Sequence, residues 1–268
     1  MSESKYNATV VGKILLRPDI MTLRVNTDEP REEFSAGQYT LLGLYGREDR
    51  SPNSTPETDP VKPDKLVQRP YSIASATTQL SQLEFYISLV KSGQLTPRLF
   101  NLQPGERLFV SKRIVGVFKL AETPPNSDII MIATGTGLAP YLSFLRSYLA
   151  SRPESKMAII QGAAKQWDLG YFSELSFLEN AFPNFTYIPT LPEADETWNG
   201  YKMWIGELLD AGILKSETGI DIDPIKTHIF LCGNPKMVEN VTNWLLEKGY
   251  TRHTRKEPGT LHIEEFWS

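Results

Sequence analysis

The change of hydrophobic rhythm near residue 128 constrains the fold of this chain more than any other feature. From there on, short apolar runs alternate with amphipathic, helix-like segments. The run "IIMIAT" (129–134) is apolar at nearly every position, as expected of a strand that is covered on both faces. Strands that alternate with helices in this way predict a doubly wound, parallel α/β sheet.

The earlier part of the chain has a different pattern. Up to about residue 120, short segments with strand-like alternation are separated by Gly, Pro and polar turns, which predicts an antiparallel β-barrel or sandwich. One helix is predicted over "TPRLFNL" (96–102), with Thr96 as its N-cap and Pro97 at its first position. The acidic, proline-rich stretch 46–66 is predicted to be a surface loop with little structure of its own.

These two patterns predict a two-domain chain. An N-terminal antiparallel β-barrel is expected over residues 1–122. A C-terminal doubly wound α/β domain with a parallel sheet is expected over residues 123–268.

The amino-acid composition disfavours or excludes several classes of function. The net charge of −4 and the pI near 5.6 disfavour a nucleic-acid-binding protein. The start, "MSESKYNATVVGK", lacks the apolar core of a signal peptide, and no run has the length of a membrane span. The single cysteine, Cys232, excludes an internal disulfide and a four-cysteine zinc or iron–sulfur site, and the three histidines show no metal-ligand spacing. We therefore expect a cytoplasmic protein that uses an organic cofactor for any redox chemistry. A monomer is a separate expectation, which does not follow from the composition.

Two turn motifs follow strands of the predicted α/β sheet. They are "TGTGLAP" (134–140) and "CGNPKM" (232–237), and ligands of open α/β sheets bind at the carboxyl ends of strands. Gly135 and Gly137 would let the backbone approach a pyrophosphate beside a helix N-terminus. The spacing differs from G-x-G-x-x-G, so a plain strand–helix turn fits this motif as well as a phosphate site does.

In the first half, "RPYS" places a fixed cation, an aromatic ring and a hydroxyl within four residues. A flavin would use Arg69 for its pyrophosphate, Tyr71 for stacking and Ser72 for a hydrogen bond to a ring nitrogen. A strand with a packed tyrosine and a solvated arginine explains the same four residues. The segment "SGQLTPRLF" (92–100) joins a glycine, a hydroxyl and a helix start, which makes it a second candidate anion site.

The motifs "RPYSIAS", "GQLTPRL", "GTGLAP", "CGNPKMV" and the terminal "EEFWS" occur in the order and spacing of one family. Over nearly its whole length the sequence resembles the bacterial ferredoxin/flavodoxin–NADP⁺ reductases. The resemblance implies FAD in the barrel, NADP(H) in the α/β domain, and a separate ferredoxin or flavodoxin as the electron carrier.

The resemblance also implies roles for single residues. Arg69 and the segment 93–96 would hold the FAD pyrophosphate, Tyr71 would stack on the isoalloxazine, and a C-terminal tail would return to the flavin. Ser72, Cys232 and Glu264 are the candidate catalytic residues, as the polar surround of flavin N5, with Glu265 as the alternative to Glu264. The implied cofactor-binding residues are Arg69, Pro70, Tyr71, Ser72, Ile73, Gly93, Gln94, Leu95, Thr96, Gly135, Thr136, Gly137, Lys165, Thr190, Cys232, Gly233, Asn234, Phe266 and Trp267.

One departure from the family pattern concerns the 2′-phosphate of NADP⁺. Members that prefer NADP⁺ grip this group with arginines, because a planar fork suits a dianion. Here Thr190-Leu191 stands where a Ser-Arg pair would follow the strand, and Trp204 lies nearest to the second arginine. Lys165 and Lys202 are the only cations near these places, and an acidic cluster lies close by, formed by Glu193, Asp195 and Glu196.

NADH therefore remains a candidate reductant beside NADPH. The alternative function is an NADH-preferring flavin reductase that serves an oxygenase or a small acceptor. An FAD-binding sensor subunit without turnover is a third interpretation. An acidic carrier would need a basic face. The candidates for such a face are Lys112, Arg113, Arg252, Arg255 and Lys256, which are equally explained as a solvated rim.

Overall fold

The structure is a computed structural model that describes residues 5–264. The chain divides into two compact units, and the division lies between Gly116 and Val117. The domain limit at 122/123 stays a prediction. Within the described residues, no helix combines the length and the apolar character that crossing a bilayer requires.

The first unit contains one antiparallel sheet of six strands in the spatial order β4-β3-β6-β1-β2-β5. Its apolar core includes Leu23, Leu42 and Phe85, which are fully buried. The predicted antiparallel β domain is confirmed. The elements are β1 (Ala8–Arg17), β2 (Ile20–Thr27), β3 (Tyr39–Tyr45), β4 (Leu66–Ser72), β5 (Gln82–Ser88), α1 (Thr96–Asn101) and β6 (Arg107–Val110).

The helix α1 begins one residue earlier than predicted. Thr96 is its first residue and Leu95 occupies the N-cap position without a side-chain hydrogen bond, so the prediction of Thr96 as the N-cap is wrong. The hydroxyl of Thr96 instead accepts a hydrogen bond from Val90 N at 3.0 Å and contacts Val90 O at 3.2 Å. The Thr96 hydroxyl therefore bonds to the backbone of the preceding loop instead of capping the helix.

The second unit contains a parallel sheet of five strands in the order β11-β10-β7-β8-β9. The doubly wound α/β prediction is confirmed. The elements are β7 (Asp128–Thr134), α2 (Ala139–Tyr148), β8 (Met157–Gly162), α3 (Phe172–Ala181), β9 (Phe185–Thr190), α4 (Ile205–Asp210), α5 (Ile213–Thr218), β10 (Thr227–Cys232), α6 (Pro235–Glu247) and β11 (Leu261–Glu264).

The strand order explains where a ligand site can form in this unit. The chain leaves β7 towards β8 on one side and later returns to place β10 on the other side of β7. Helices that follow β7 and β10 therefore diverge from neighbouring strand ends and leave a crevice there. Both strands are almost wholly buried, which fixes the positions of the turns that follow them.

Candidate cofactor sites

The "RPYS" segment lies on β4, an edge strand of the first sheet. Pro70 is tolerated there because an edge strand has only one neighbour to pair with. Arg69 is exposed, and its Nη1 donates to Gln68 O at 2.7 Å. Among residues 5–264 it forms no ion pair, so its charge is available to a ligand.

The residues that follow Arg69 are progressively more buried. Tyr71 is half-buried against the core of the first unit, and burial raises the pKa of its hydroxyl, so the phenol stays neutral. Ser72 is buried at 5% exposure, and Ile73 is fully buried. An exposed cation, a partly exposed ring and a buried hydroxyl thus occur in order along one strand end.

The turn before α1 offers backbone groups rather than side chains. Leu95 is 2% exposed and belongs to the core, and the Thr96 hydroxyl is taken by Val90. Gly93 approaches the preceding loop closely, since a Cβ there would lie 3.0 Å from Val90 O. The peptide N–H groups of Gln94 and Leu95 have no acceptor within the part of the chain that the structure describes.

In the second unit, the turns after β7 and β10 are joined to each other. Asn234 N donates to Thr134 Oγ1 at 2.7 Å. A Cβ on Gly137 would lie 2.3 Å from Cys232 O, so the two backbones touch at a position where only glycine fits. Gly233, with φ 138°, has no room for a Cβ either. The structure therefore brings "GTGLAP" and "CGNP" together as one glycine-lined edge.

Cys232 and Glu264 lie side by side at this edge. They are register partners on the parallel strands β10 and β11, which places their side chains on the same face of the sheet. Cys232 is fully buried, and burial, followed by the charge of Glu264, raises the pKa of its thiol. The thiol is therefore protonated at neutral pH and can donate a weak hydrogen bond, but it is not a nucleophile.

The side chain of Asn234 has a structural task. Its Oδ1 accepts hydrogen bonds from Lys236 N at 2.9 Å and Met237 N at 3.4 Å, which caps the 13-residue helix α6. The cap explains why "NP" follows the strand and opens the helix. The backbone N–H and C=O of Asn234 are engaged as well, with Thr134 Oγ1 and with Val238 N, so any contact with a ligand is left to the rest of its amide.

The carboxyl ends of β8 and β9 carry few free cations. Thr190 is fully buried and donates its hydroxyl to Met203 O, and Leu191 is fully buried as well. Lys165 Nζ donates to Glu193 O at 2.8 Å, which ties the loop after β8 to the loop after β9. Trp204 is 61% exposed at the start of α4.

Comparison with known proteins tests the resemblance. The family model described as the oxidoreductase NAD-binding domain matches residues 131–243. The chain is 33% identical over 266 residues to the flavodoxin/ferredoxin–NADP reductase of Buchnera aphidicola subsp. Baizongia pistaciae, an alignment that covers 97% of this chain and 100% of the relative. The chain belongs to the flavodoxin/ferredoxin–NADP reductase family. The family member of Escherichia coli (strain K12) is 32% identical, over 87% of this chain and 88% of the relative.

A solved structure supports the fold of this reductase family member independently. The ferredoxin NADP⁺ reductase from Neisseria gonorrhoeae, solved with bound FAD and NADP, superposes with a TM-score of 0.82. The superposition covers 99% of this chain and 100% of that chain at 24% identity. The arrangement of an antiparallel β unit and a parallel α/β unit is therefore the reductase fold.

Some predicted site residues of this reductase come together within a unit, and others do not. Gly135, Gly137, Cys232 and Gly233 share one edge, and Glu264 joins them through β11. Lys165 and Thr190 are engaged with backbone oxygens, so their roles towards a cofactor stay predictions. The predicted aromatic pair Phe266–Trp267 lies outside the described residues.

Sequence reasoning missed three charged residues that surround the Gly93 turn. Arg50 and Glu57 come from the loop between β3 and β4, and Arg98 comes from α1. No helix or strand forms in this loop, as predicted, yet ion pairs fix it in place. The sequence shows the charges of Arg50 and Glu57 within an acidic, proline-rich loop, but nothing in it indicates that they pair with Arg98.

Proposed function

We propose that this chain is an FAD-dependent ferredoxin (flavodoxin)–NADP⁺ reductase, an oxidoreductase that connects NADP(H) with a one-electron carrier protein. The observation that carries the proposal is the 33% identity to a flavodoxin/ferredoxin–NADP reductase over 97% of this chain and 100% of the relative, since it spans both units. FAD, when bound, supplies the exchange between a hydride and single electrons. The protein supplies binding, orientation and the electrostatic environment.

The residues of the first unit fit an FAD. Within residues 5–264 the Arg69 guanidinium forms no ion pair and the N–H groups of Gln94 and Leu95 have no acceptor, so these groups suit a pyrophosphate, which needs donors and positive charge. Tyr71 would offer a neutral ring for stacking on the isoalloxazine, and Ser72 would offer a hydroxyl for a hydrogen bond to a flavin ring nitrogen.

The residues of the second unit fit a nicotinamide nucleotide. The glycine-lined edge formed by Gly135–Gly137 and Cys232–Gly233 allows close approach of a flat ring. Cys232 would hold a proton and act as a weak donor there, and Glu264 would supply the acceptor beside it. Thr136 lies between the two glycines and is assigned to the same pocket.

We assign the carrier to ferredoxin or flavodoxin as a separate protein. One cysteine cannot ligate an iron–sulfur cluster. Lys112 is neutralised by Glu29 at 2.6 Å, whereas three exposed cations of the second unit form no ion pair among the described residues. These cations, Arg252, Arg255 and Lys256, are the proposed docking face for an acidic carrier. A monomer, a cytoplasmic location and domain limits at 1–122 and 123–268 belong to the same proposal.

A second candidate function is supported by the ends of β8 and β9. Thr190 and Leu191 are buried, and Lys165 is bonded to Glu193 O, so none of them offers the guanidinium fork that suits a 2′-phosphate. This observation favours an NADH-preferring reductase that serves an oxygenase or a small acceptor.

The test is a carrier-dependent assay. Purified protein with NADPH should reduce cytochrome c only when a ferredoxin or flavodoxin is added, and denaturation should release FAD in a one-to-one ratio with protein. A rate that is the same without carrier and that prefers NADH would replace the first function with the second. Protein that is colourless and cannot be reconstituted with FAD would exclude both.

A further inference from the structure

The loop between β3 and β4 is held by a buried ion-pair cluster, which we call the Glu57 cluster and which consists of Arg50, Glu57 and Arg98. Glu57 Oε1 accepts from Arg50 Nη1 at 2.9 Å and from Arg98 Nη1 at 2.6 Å. The side chains of Glu57 and Arg98 are only 8% and 3% exposed. Val61 N also donates to Glu57 Oε2 at 3.2 Å, so both carboxylate oxygens are engaged.

The two arginines of the cluster also bind the turn before α1. Arg50 Nη1 donates to Gly93 O at 2.8 Å, and Arg98 Nη1 donates to Gln94 O. Arg50 Nη2 lies 3.3 Å from Lys91 O. Successive carbonyl groups of this turn therefore point towards the cluster.

The orientation of these carbonyl groups sets the orientation of the N–H groups. In a trans peptide unit the C=O and the following N–H point in opposite directions. Binding of Gly93 O and Gln94 O by the arginines thus directs the N–H groups of Gln94 and Leu95 away from the cluster. Neither of these N–H groups has an acceptor among residues 5–264.

Glu57 also helps to hold the guanidinium of Arg98 against the loop. The Arg98 Nη2 group donates to Gly46 O at 2.8 Å while Nη1 is held by Glu57, so the guanidinium is committed to the loop. Two backbone hydrogen bonds also join the loop to residues on either side of the turn. Ser51 N donates to Pro97 O at 2.9 Å, and Thr55 N donates to Lys91 O at 3.0 Å.

We propose that the Glu57 cluster preorganises the turn 93–95 for the FAD pyrophosphate, which makes Arg50, Glu57 and Arg98 positioning residues for FAD binding. The inference rests on the proposed function, because it takes the pyrophosphate as the ligand of this turn. Loss of the cluster would free the peptide units to rotate, and the open N–H groups would no longer converge on one anion.

The test compares two flavins that differ in the pyrophosphate. Flavin-free full-length protein is titrated with FAD and with riboflavin, and dissociation constants are read from the change in flavin fluorescence. Glu57→Gln keeps the volume of the side chain but removes its charge. It should weaken FAD binding by about tenfold or more, since charge-assisted hydrogen bonds are lost, and it should change riboflavin binding by less than about twofold.

The matched control is Glu174→Gln. Glu174 forms a two-point ion pair with Arg146 at 2.8 Å for both contacts, in the other unit. This variant should leave both dissociation constants unchanged. Arg50→Ala provides a second test if Glu57→Gln does not fold, because it removes the bond to Gly93 O and should give the same selective loss of FAD affinity.

Each outcome is decisive. Equal weakening of FAD and riboflavin, or no weakening of either, would overturn the inference and leave the cluster with a structural role only. Wild-type protein that binds FAD no more tightly than riboflavin would instead show that the turn does not bind a pyrophosphate. That result would refute the proposed pyrophosphate site itself, and with it the inference about the Glu57 cluster.

Discussion

Gly137 lies where the two turns of the second unit come closest, and we expect Gly137→Ala to separate them. The new Cβ would stand 2.3 Å from Cys232 O and 2.7 Å from Gly233 Cα, both backbone atoms that no rotamer change can move. Ordinary contact needs about 1 Å more, so one strand end must shift by that amount. Overpacking of this kind costs about 1–3 kcal/mol of the free energy of unfolding.

The control for this variant is Gly135→Ala. Gly135 has φ 54°, and a Cβ added to it would meet no atom within 4 Å, so the alanine causes backbone strain but no clash. The strain costs about 1–2 kcal/mol. Urea unfolding gives the stability of both variants, and titration with NADPH gives the nucleotide affinity. Gly137→Ala should lose affinity by about tenfold, because a shift of about 1 Å disturbs both turns of the pocket, whereas Gly135→Ala should lose much less. Wild-type stability and affinity in Gly137→Ala would refute the assignment of this edge.

Three further predictions follow from buried or exposed side chains of the second unit. The hydroxyl of Tyr141 is fully buried between backbone carbonyl groups of β7 and β10, so Tyr141→Phe should lower the free energy of unfolding by about 1–3 kcal/mol in urea titrations; a loss below about 0.5 kcal/mol would contradict this interpretation. Burial lowers the pKa of His228 to about 4 and that of His262 to about 3. Both histidines are therefore neutral in the folded protein above these values, and their contribution to the free energy of unfolding is complete above the unfolded pKa of about 6.5. This contribution is lost as the pH falls towards 4 and 3. His262→Phe should therefore flatten the dependence of melting temperature on pH between about 4 and 6.5, and an unchanged slope would argue against buried neutral histidines. Trp204→Arg should raise the ratio of NADPH to NADH affinity by about tenfold in steady-state KM measurements, because a guanidinium can bind a 2′-phosphate; no change in the ratio would place that phosphate elsewhere.

Local backbone requirements made much of the fold predictable. The β7 run is buried on both faces, and its composition alone indicates a central parallel strand. Gly137 and the "CGNP" turn are required by contacts between neighbouring strand ends, and Gly135 is required by its φ of 54°, which is why their spacing identifies the family. The first and last residues of helices and strands were harder to predict from the sequence. The segment "IGELLDAGIL" (205–214) has the pattern of one helix, but it is divided between α4 and α5, because Gly212 adopts φ 71°.

Long-range contacts account for what sequence reasoning missed. Strand β11 was not foreseen, since its four residues pair with β10 about thirty residues earlier and show no clear alternation. The role of Lys165 as a cation near a phosphate stays a prediction, and the sequence did not show that its ammonium group donates to a carbonyl oxygen on another loop. Glu57 gave no periodic signal, because its function in the structure depends on two arginines that lie 7 and 41 residues away.

In the proposed function, this chain passes a hydride from a nicotinamide nucleotide to a bound FAD. Anaerobic stopped-flow mixing of the yellow protein with NADPH or NADH, each over a range of concentrations, tests it most directly through the loss of flavin absorbance. We predict rapid and saturable reduction of the flavin by at least one nucleotide, and the relative efficiency of the two will assign the preferred reductant. A flavin that stays oxidised with both nucleotides would contradict the account and would favour a flavin-binding protein without turnover.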